Sequence, residues 1–113
     1  MQITAEERDN GCAIVVQGAL AIDTVTRAKA PLLAVLARAD HIDLDLSGVE
    51  RFDTAGLQLL LLLRREARGA GRRVRLIDVS APVQATMRRC AAERWFDMDA
   101  TRGDATRAEV AAP

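Results

Sequence analysis

The spacing of apolar and polar residues along the chain predicts strands that alternate with helices. Residues 12–18 form a run of apolar and β-branched residues typical of a buried strand, and residues 2–6 form a weaker candidate strand before it. Apolar and polar residues alternate over 41–47, which predicts a strand with one buried and one polar face. Residues 73–79 have the composition of a fourth strand.

Helices are predicted after the second, third and fourth of these strands. The first is capped by Asp23 or Thr24, and Pro31 should kink its first turns or delay its start. The last follows Ser80, has a proline in its first turn and extends over about residues 81–91. The order β-β-α-β-α-β-α with short connections predicts an α/β fold, in which helices pack on a mixed sheet.

The middle helix has the most unusual pattern. A loop over residues 48–53 leads into Asp53 and Thr54, five consecutive leucines follow at 59–63, and Gly71 marks the end of the helix. Either Asp53 or Thr54 can cap the helix by accepting hydrogen bonds from free amides of its first turn. A helix on a sheet needs leucine on one face only, so the other face needs a separate explanation.

A projection of this helix at about 100 degrees per residue separates two faces. The core-facing stripe comprises Leu59, Leu60, Leu63, Ala67 and Ala70. The solvent-facing side carries a hydroxyl, two leucines, a glutamine and three arginines: Thr54, Leu57, Leu61, Gln58, Arg64, Arg65 and Arg68, with Leu62 at the boundary. An apolar centre surrounded by arginine is typical of a partner interface, unless neighbouring loops cover the two leucines.

A hydroxyl at a helix N-terminus is also well placed to carry a phosphate. The free amides and the positive end of the helix dipole would stabilise a phosphate on Thr54 by about 0.3–1 kcal/mol, whereas Asp45 and Asp53 would repel it. Phosphorylation would then change the surface electrostatics with little need to refold the domain. The alternative is that Thr54 is only a helix cap.

The composition excludes several classes of function. Sixteen basic and sixteen acidic residues cancel, and the few aromatic residues offer no platform for stacked bases, which argues against nucleic-acid binding. The longest apolar run is far shorter than the roughly 20 residues that span a bilayer, and the N-terminus carries no secretory signal. We therefore expect a cytoplasmic protein without membrane insertion, in which Cys12 and Cys90 are reduced, inert thiols.

An enzyme is the least favoured class. His41, the only histidine, lies on the polar face of a strand without a nearby nucleophile pattern. Asp43 and Asp45 share that face, but acids at every second residue are usually the solvated side of a sheet. No glycine-rich phosphate loop follows a strand. We expect no catalytic residue, metal or cofactor.

Residues 44–80 resemble the STAS domain family, typified by bacterial anti-sigma-factor antagonists. The matching features are a strand that ends in Asp45-Leu46-Ser47, a loop to Phe52-Asp53, and a helix that opens with Thr54-Ala55-Gly56-Leu57. Gly18-Ala19-Leu20 resembles the family's Gly-x-Leu strand end. The resemblance covers about residues 3–96 and implies a STAS fold with four to five strands over 1–99, and we expect 100–113 to be a disordered tail.

The resemblance implies a non-enzymatic signalling switch. In the anti-sigma antagonists, a partner kinase of the histidine-kinase-like ATPase fold phosphorylates the Ser or Thr after the motif's Asp; the unphosphorylated form binds its partner and the phosphorylated form releases it. The corresponding residues are Thr54, where Ser is commoner, and Asp53. The sequence around these two residues is similar to that of single-domain STAS proteins associated with bacterial chemotaxis and histidine-kinase signalling. The implied partner is a histidine-kinase-like Ser/Thr kinase or an anti-sigma factor. The sequence does not decide whether the protein also forms a homodimer.

A second branch of the family also fits. The STAS subunit of the Mla-type phospholipid ABC transporter has a similar Asp-Thr-Gly-Gly-Leu motif, and its helix face, threonine included, docks on the ATPase subunit. Ala55 stands where that branch often has Gly, and the tail is longer here. On this alternative, the helix face would be a constitutive docking surface.

Overall fold

A computed structural model describes residues 1–9 and 11–98, so the tail predicted for 100–113 lies outside the described residues. Within them the chain forms five strands, three α-helices and one turn of 3-10 helix. The predicted element order is confirmed, and a short fifth strand follows it. The strands are β1 (Gln2–Arg8), β2 (Gly11–Leu20), β3 (His41–Phe52), β4 (Arg73–Val79) and β5 (Asp97–Met98). The helices are α1 (Val25–Leu36), α2 (Thr54–Gly69), α3 (Ala81–Arg89) and the 3-10 turn Glu93–Trp95.

The strands form one mixed sheet in sequential order, β1 to β5. β1 pairs with β2 antiparallel, and the remaining neighbours are parallel. Parallel connections are almost always right-handed, so a sheet whose order advances in one direction places its crossover helices on the same face. The predicted α/β fold with a mixed sheet is therefore confirmed.

The helix-covered face of the sheet contains the core. Ile42, Leu44 and Leu46 are at most 2% exposed, whereas His41, Asp43 and Asp45, which alternate with them, are half-buried on the open face. On that open face, Arg75 donates to both carboxylate oxygens of Asp43, at 3.2 and 3.3 Å. The period-2 alternation predicted for this strand therefore separates a dry face from a polar one.

β3 is longer than the sequence pattern predicts, because residues 48–52 continue the strand instead of forming a loop. The pairing of β2 with β3 shifts register between Val15 and Gln17 and again between Gly18 and Ala19. Gly18 has a φ of 90°, a conformation that favours glycine. These irregularities break the period-2 alternation from which a strand is recognised, although the backbone pairing persists.

Pro31 lies inside α1, which begins at Val25, so the predicted delay in the start of this helix is wrong. Proline removes one hydrogen bond to the carbonyl four residues earlier. Pro31 and Arg27 are both exposed, so water can reach the carbonyl that lacks this partner. A proline on the solvent side of an amphipathic helix is tolerated while the opposite side packs in the core.

Candidate functional site

The junction between β3 and α2 is held by Asp53, which occupies the N-cap position of α2. Its Oδ1 accepts hydrogen bonds from the amides of Ala55, at 3.0 Å, and Gly56, at 3.1 Å. The backbone carbonyl of Asp53 accepts from the Leu57 amide at 3.0 Å. Asp53, rather than Thr54, is thus the residue that caps the helix.

The second carboxylate oxygen of Asp53 reaches a different part of the chain. Oδ2 accepts from the amide of Ile22 at 3.0 Å, in the turn between β2 and α1. That turn is fixed independently by the Thr24 hydroxyl, which accepts from the Ala21 amide at 3.0 Å and donates to the Ala19 carbonyl at 2.9 Å. A single carboxylate therefore caps α2 and joins its first turn to the β2–α1 turn.

The side chain of Ile22 is 73% exposed beside this junction. Sequence reasoning did not identify it as a site residue. The available signal was a large β-branched residue in the short connection between a predicted strand and a predicted helix, where polar residues are the rule. Asp23, the next residue, forms an ion pair with Arg51 at 2.8 Å, and the hydrogen bond from Arg51 lowers the pKa of the Asp23 carboxyl below its ordinary value.

Gly56 allows the first turn of α2 to approach the sheet closely. A Cβ atom at this position would collide with the backbone carbonyl of Leu20 and lie 2.7 Å from the ring of Phe52. Gly56 itself is buried. The glycine of the Asp-Thr-Ala-Gly segment is therefore a packing requirement that fixes where the helix starts.

Thr54 is the first residue of α2, and its side chain is exposed. Its hydroxyl makes no hydrogen bond to any other described residue. The amides of Ala55 and Gly56, which the sequence analysis expected to support a phosphate, are already bonded to Asp53. A group attached to the Thr54 hydroxyl would therefore project into solvent beside a carboxylate.

The outer face of α2 differs from its sequence prediction at Leu57, which is buried at 5% exposure. The prediction that Leu57 faces solvent is wrong, and this side chain offers almost no surface to a partner. Leu57 lies only about 60 degrees from Leu60 around the helix, and the first turn of α2 is packed closely against the sheet. At the other end, Ala70 is exposed because α2 ends at Gly69.

Five of the residues predicted for this face come together around one shallow groove of about 590 Å³, which Thr54 does not line. The predicted residues that line it are Gln58, Leu61, Arg64, Arg65 and Arg68. Leu62 and Trp95 complete the lining. Trp95, which sequence reasoning did not connect with this helix, is 44% exposed, and the guanidinium carbons of Arg64 and Arg94 each lie 5.3 Å from the centroid of its ring.

The other candidate residues form no second site among the described residues. Asp43 is paired with Arg75, and Asp45 accepts from the amide and hydroxyl of Ser47, at 2.9 and 2.6 Å. Over residues 1–9 and 11–98, no group of three or more His, Cys, Asp or Glu residues could hold a metal ion. The same part of the chain contains no helix long and apolar enough to cross a membrane. Cys12, which is buried, and Cys90, which is exposed, are both free thiols.

Solved structures share this fold at low sequence identity. An anti-sigma factor antagonist from Mycobacterium paratuberculosis superimposes with a TM-score of 0.79 at 18% identity, over 97% of this chain and 92% of that one. The anti-sigma factor antagonist SpoIIAA in its unphosphorylated form gives 0.72 at 18% identity, over 91% and 98%. The Bacillus cell fate determinant SpoIIAA in its phosphorylated form gives 0.67 at 16% identity, over 99% and 100%.

A sulfate transporter family protein from Wolinella succinogenes also has this fold, with a TM-score of 0.60 at 15% identity over 88% of this chain and 84% of that one. The sequence matches no curated protein. A family model described as the Mlab STAS domain matches residues 3–97. This match spans β1 to β5 and includes the Asp53–Gly56 junction, so the resemblance drawn from the sequence is confirmed: the chain belongs to the STAS domain family.

Proposed function

We propose that this protein is a non-enzymatic module of bacterial signalling that binds a partner protein through the N-terminus and outer face of α2. Phosphorylation of Thr54 would switch that binding off. The observation that carries the proposal is that Asp53, and not Thr54, caps the helix. Asp53 makes both side-chain capping bonds, which leaves the neighbouring Thr54 hydroxyl exposed and free to be modified without loss of the cap.

The partner that modifies Thr54 would be an ATP-dependent kinase of the histidine-kinase-like fold. Its reaction forms a bond between Oγ1 of Thr54 and the γ-phosphorus of ATP while the bond from that phosphorus to the ADP oxygen breaks. The hydroxyl proton passes to a base of the kinase. The product carries about 1.5 to 2 additional negative charges at the start of α2.

The surroundings of Thr54 favour an electrostatic switch over a refolding one. The Asp53 carboxylate is adjacent and occupies the two nearest amides, and Arg51 is already paired with Asp23 at 2.8 Å. A phosphate therefore gains few new internal hydrogen bonds and projects towards the partner. A partner surface that accommodates an uncharged threonine beside Asp53 would be repelled by the added charge.

The comparisons support this proposal at the level of the fold. SpoIIAA, which shares the fold, is known in unphosphorylated and phosphorylated forms, and two of the similar proteins are antagonists of anti-sigma factors. By analogy, the partner of this chain would be a histidine-kinase-like Ser/Thr kinase or an anti-sigma factor, and the protein would act in the cytoplasm.

Phosphorylation is tested by incubating the full chain with such a kinase and ATP, followed by mass spectrometry. We expect a single phosphate on Thr54 and none on the Thr54→Ala variant. Thr54→Ala should keep partner affinity within about twofold, whereas Thr54→Glu should weaken it at least about tenfold because it places charge at the interface. Thr26→Glu, an exposed threonine on α1, is the matched control and should bind normally. A phosphate-free Thr54 after reaction with an authentic kinase contradicts the switch.

The description of the matching family model as the Mlab STAS domain favours a second candidate function. In this alternative, the chain is the STAS subunit of an Mla-type phospholipid ABC transporter, and the same face of α2 docks constitutively on the ATPase subunit. The two functions differ in the behaviour of Thr54→Ala. A transporter subunit would co-purify with an ABC ATPase and lose assembly with both Thr54→Ala and Thr54→Glu, whereas the switch loses binding only with the charged variant.

A further inference from the structure

Trp95 lies between two neighbouring hollows on the surface, at the end of α2 that is remote from Thr54. The first hollow is the shallow groove described above. One has a volume of about 590 Å³ along the outer face of α2, and the other, of about 610 Å³, extends towards β4. Arg64 and Arg68 line both hollows. Arg65 lines the first, Arg73 and Arg94 line the second, and neither is lined by an acidic residue whose side chain the structure describes.

These five arginines carry charge that the described residues do not neutralise. Among residues 1–9 and 11–96, whose side chains the structure describes, the ion pairs use Arg8, Arg38, Arg51 and Arg75 instead. Arg72, which also lines the second hollow, is engaged elsewhere: its Nη1 donates to the carbonyls of Leu36, at 3.1 Å, and Ala39, at 2.7 Å.

This concentration of positive charge is not explained by the stability of the fold. Arg64 and Arg68 are four residues apart on one helix, a spacing at which like charges repel each other. The chain as a whole has no net charge, so the cluster is a local feature and not a consequence of composition. A surface that accumulates unpaired arginines around an exposed tryptophan has the residue types enriched in protein interfaces.

We infer that the two hollows beside Trp95 bind an acidic segment of the partner protein. This inference rests on the proposed function, whose docking face on α2 it extends away from Thr54 towards Trp95 and β4. Arginine presents its donors in a planar fork that matches a carboxylate bidentately, so alternating Asp or Glu residues would satisfy the cluster. Leu61 and Leu62, both half-buried at the edge of the first hollow, would contact an apolar side chain between those acids.

The contacts of Trp95 favour a peptide over a nucleic acid. Guanidinium groups of Arg64 and Arg94 already lie over the indole ring, each 5.3 Å from its centroid, in cation–π contact. A base that stacked on a ring face occupied by one of these guanidinium groups would have to displace it. Carboxylates can instead bind the outer edges of these guanidinium groups and leave the contact with the ring intact.

The test is a titration of the full chain with a fluorescein-labelled peptide of about 12 residues. In this peptide, acidic residues (glutamate or aspartate) alternate with leucine. Fluorescence anisotropy measures the dissociation constant. Trp95 is the only tryptophan and the chain has no tyrosine, so its emission independently reports whether the peptide reaches this site. We expect saturable binding that weakens as salt increases, and no saturable binding of the matching lysine peptide.

Charge reversal at the site is compared with charge reversal elsewhere. Arg68→Glu/Arg94→Glu should weaken the acidic peptide at least about tenfold, whereas Arg27→Glu/Lys29→Glu, an equal charge change on exposed α1 positions, should change it less than about twofold. If circular dichroism shows that the first double variant is unfolded, Arg68→Gln/Arg94→Gln takes its place with the same expectation.

Three results would overturn the inference. These are equal loss in the α1 control, binding of the lysine peptide with similar affinity, and tighter binding of a single-stranded RNA oligonucleotide or ATP than of the acidic peptide. The titration uses unphosphorylated protein and no kinase. Its failure would therefore leave the Thr54 proposal standing, and the failure of Thr54 phosphorylation would leave this site standing.

Discussion

Replacement of Asp53 by alanine should destabilise the whole domain, because this side chain joins two elements that are distant in sequence. The variant removes the hydrogen bonds from the Ala55 and Gly56 amides to Oδ1 and the bond from the Ile22 amide to Oδ2. The first two cap α2, and the third fixes the β2–α1 turn. No other described side chain accepts from these three amides.

The expected loss follows from these three bonds. Loss of an N-cap carboxylate to alanine costs about 0.5–2 kcal/mol, and a hydrogen bond to a charged group contributes about 1.5–3 kcal/mol when well shielded. The bond to Ile22 is at an exposed position, so it belongs at or below the low end of that range. We expect Asp53→Ala to lower the free energy of unfolding by about 2–3 kcal/mol, and the midpoint of thermal unfolding by roughly 10–20 °C.

Asparagine at this position separates the two roles of the side chain. Its single carbonyl oxygen can still accept from the Ala55 and Gly56 amides, but its amide group cannot accept from Ile22. Asp53→Asn should therefore cost only about 1 kcal/mol. Hydrogen exchange resolved by residue should show lost protection at the Ile22 amide and retained protection at the two capped amides.

Urea unfolding, followed by Trp95 fluorescence and by circular dichroism, measures both variants against the unmodified chain. If Asp53→Ala unfolds within about 0.5 kcal/mol of the unmodified protein, the carboxylate does not hold the junction. Equal protection of Ile22 in the asparagine variant would likewise show that the bond between the two elements is absent in solution.

Three further perturbations test the packing and charge around this junction. Gly56→Ala should cost about 1–3 kcal/mol in urea unfolding because its Cβ collides with β2, whereas Gly69→Ala, whose Cβ meets nothing within 4 Å, should be neutral or stabilise by up to about 1 kcal/mol. Thr86→Val should lower the thermal midpoint by roughly 4–8 °C, since the buried hydroxyl donates to the last carbonyl of β3 at 3.3 Å and the variant removes this hydrogen bond. The carboxyl of Asp23 should titrate below its ordinary pKa of 3.8 in an NMR titration and return towards it in Arg51→Gln. Because this pKa is lowered in the folded state, the stability from the pair is present above pH 3.8 and is lost as the pH falls through the folded value; an unchanged titration in Arg51→Gln would contradict the pairing.

The element order and the second helix could be predicted from sequence because their signals are local. Period-2 alternation over 41–47 and the repeat of apolar residues in α2 depend on neighbours within one element, and both predictions are confirmed. The extension of β3 to Phe52 could not be predicted in this way. Its pairing with β2 crosses two register shifts, so the side chains lose the alternation although the backbone remains in the sheet.

The candidate site was predicted in part for the same reason. A helical projection treats α2 as isolated and cannot show that its first turn is packed against the sheet, so Leu57 was placed in solvent although it is buried. The bond from Ile22 to Asp53 spans 31 residues, and the approach of Trp95 to Arg64 joins α2 to the 3-10 turn. Contacts between distant segments follow from the fold and leave no local pattern in the sequence.

The most direct test of the proposed switch compares partner affinity before and after phosphorylation of Thr54. The full chain is converted completely by a histidine-kinase-like Ser/Thr kinase with ATP, purified, and titrated into its partner by isothermal calorimetry beside the unphosphorylated chain. We expect one phosphate on Thr54, an unchanged circular dichroism spectrum and at least about tenfold weaker binding of the phosphorylated chain. Equal affinity of the two forms, with the phosphate on Thr54 established by mass spectrometry, would contradict the claim that this residue controls docking.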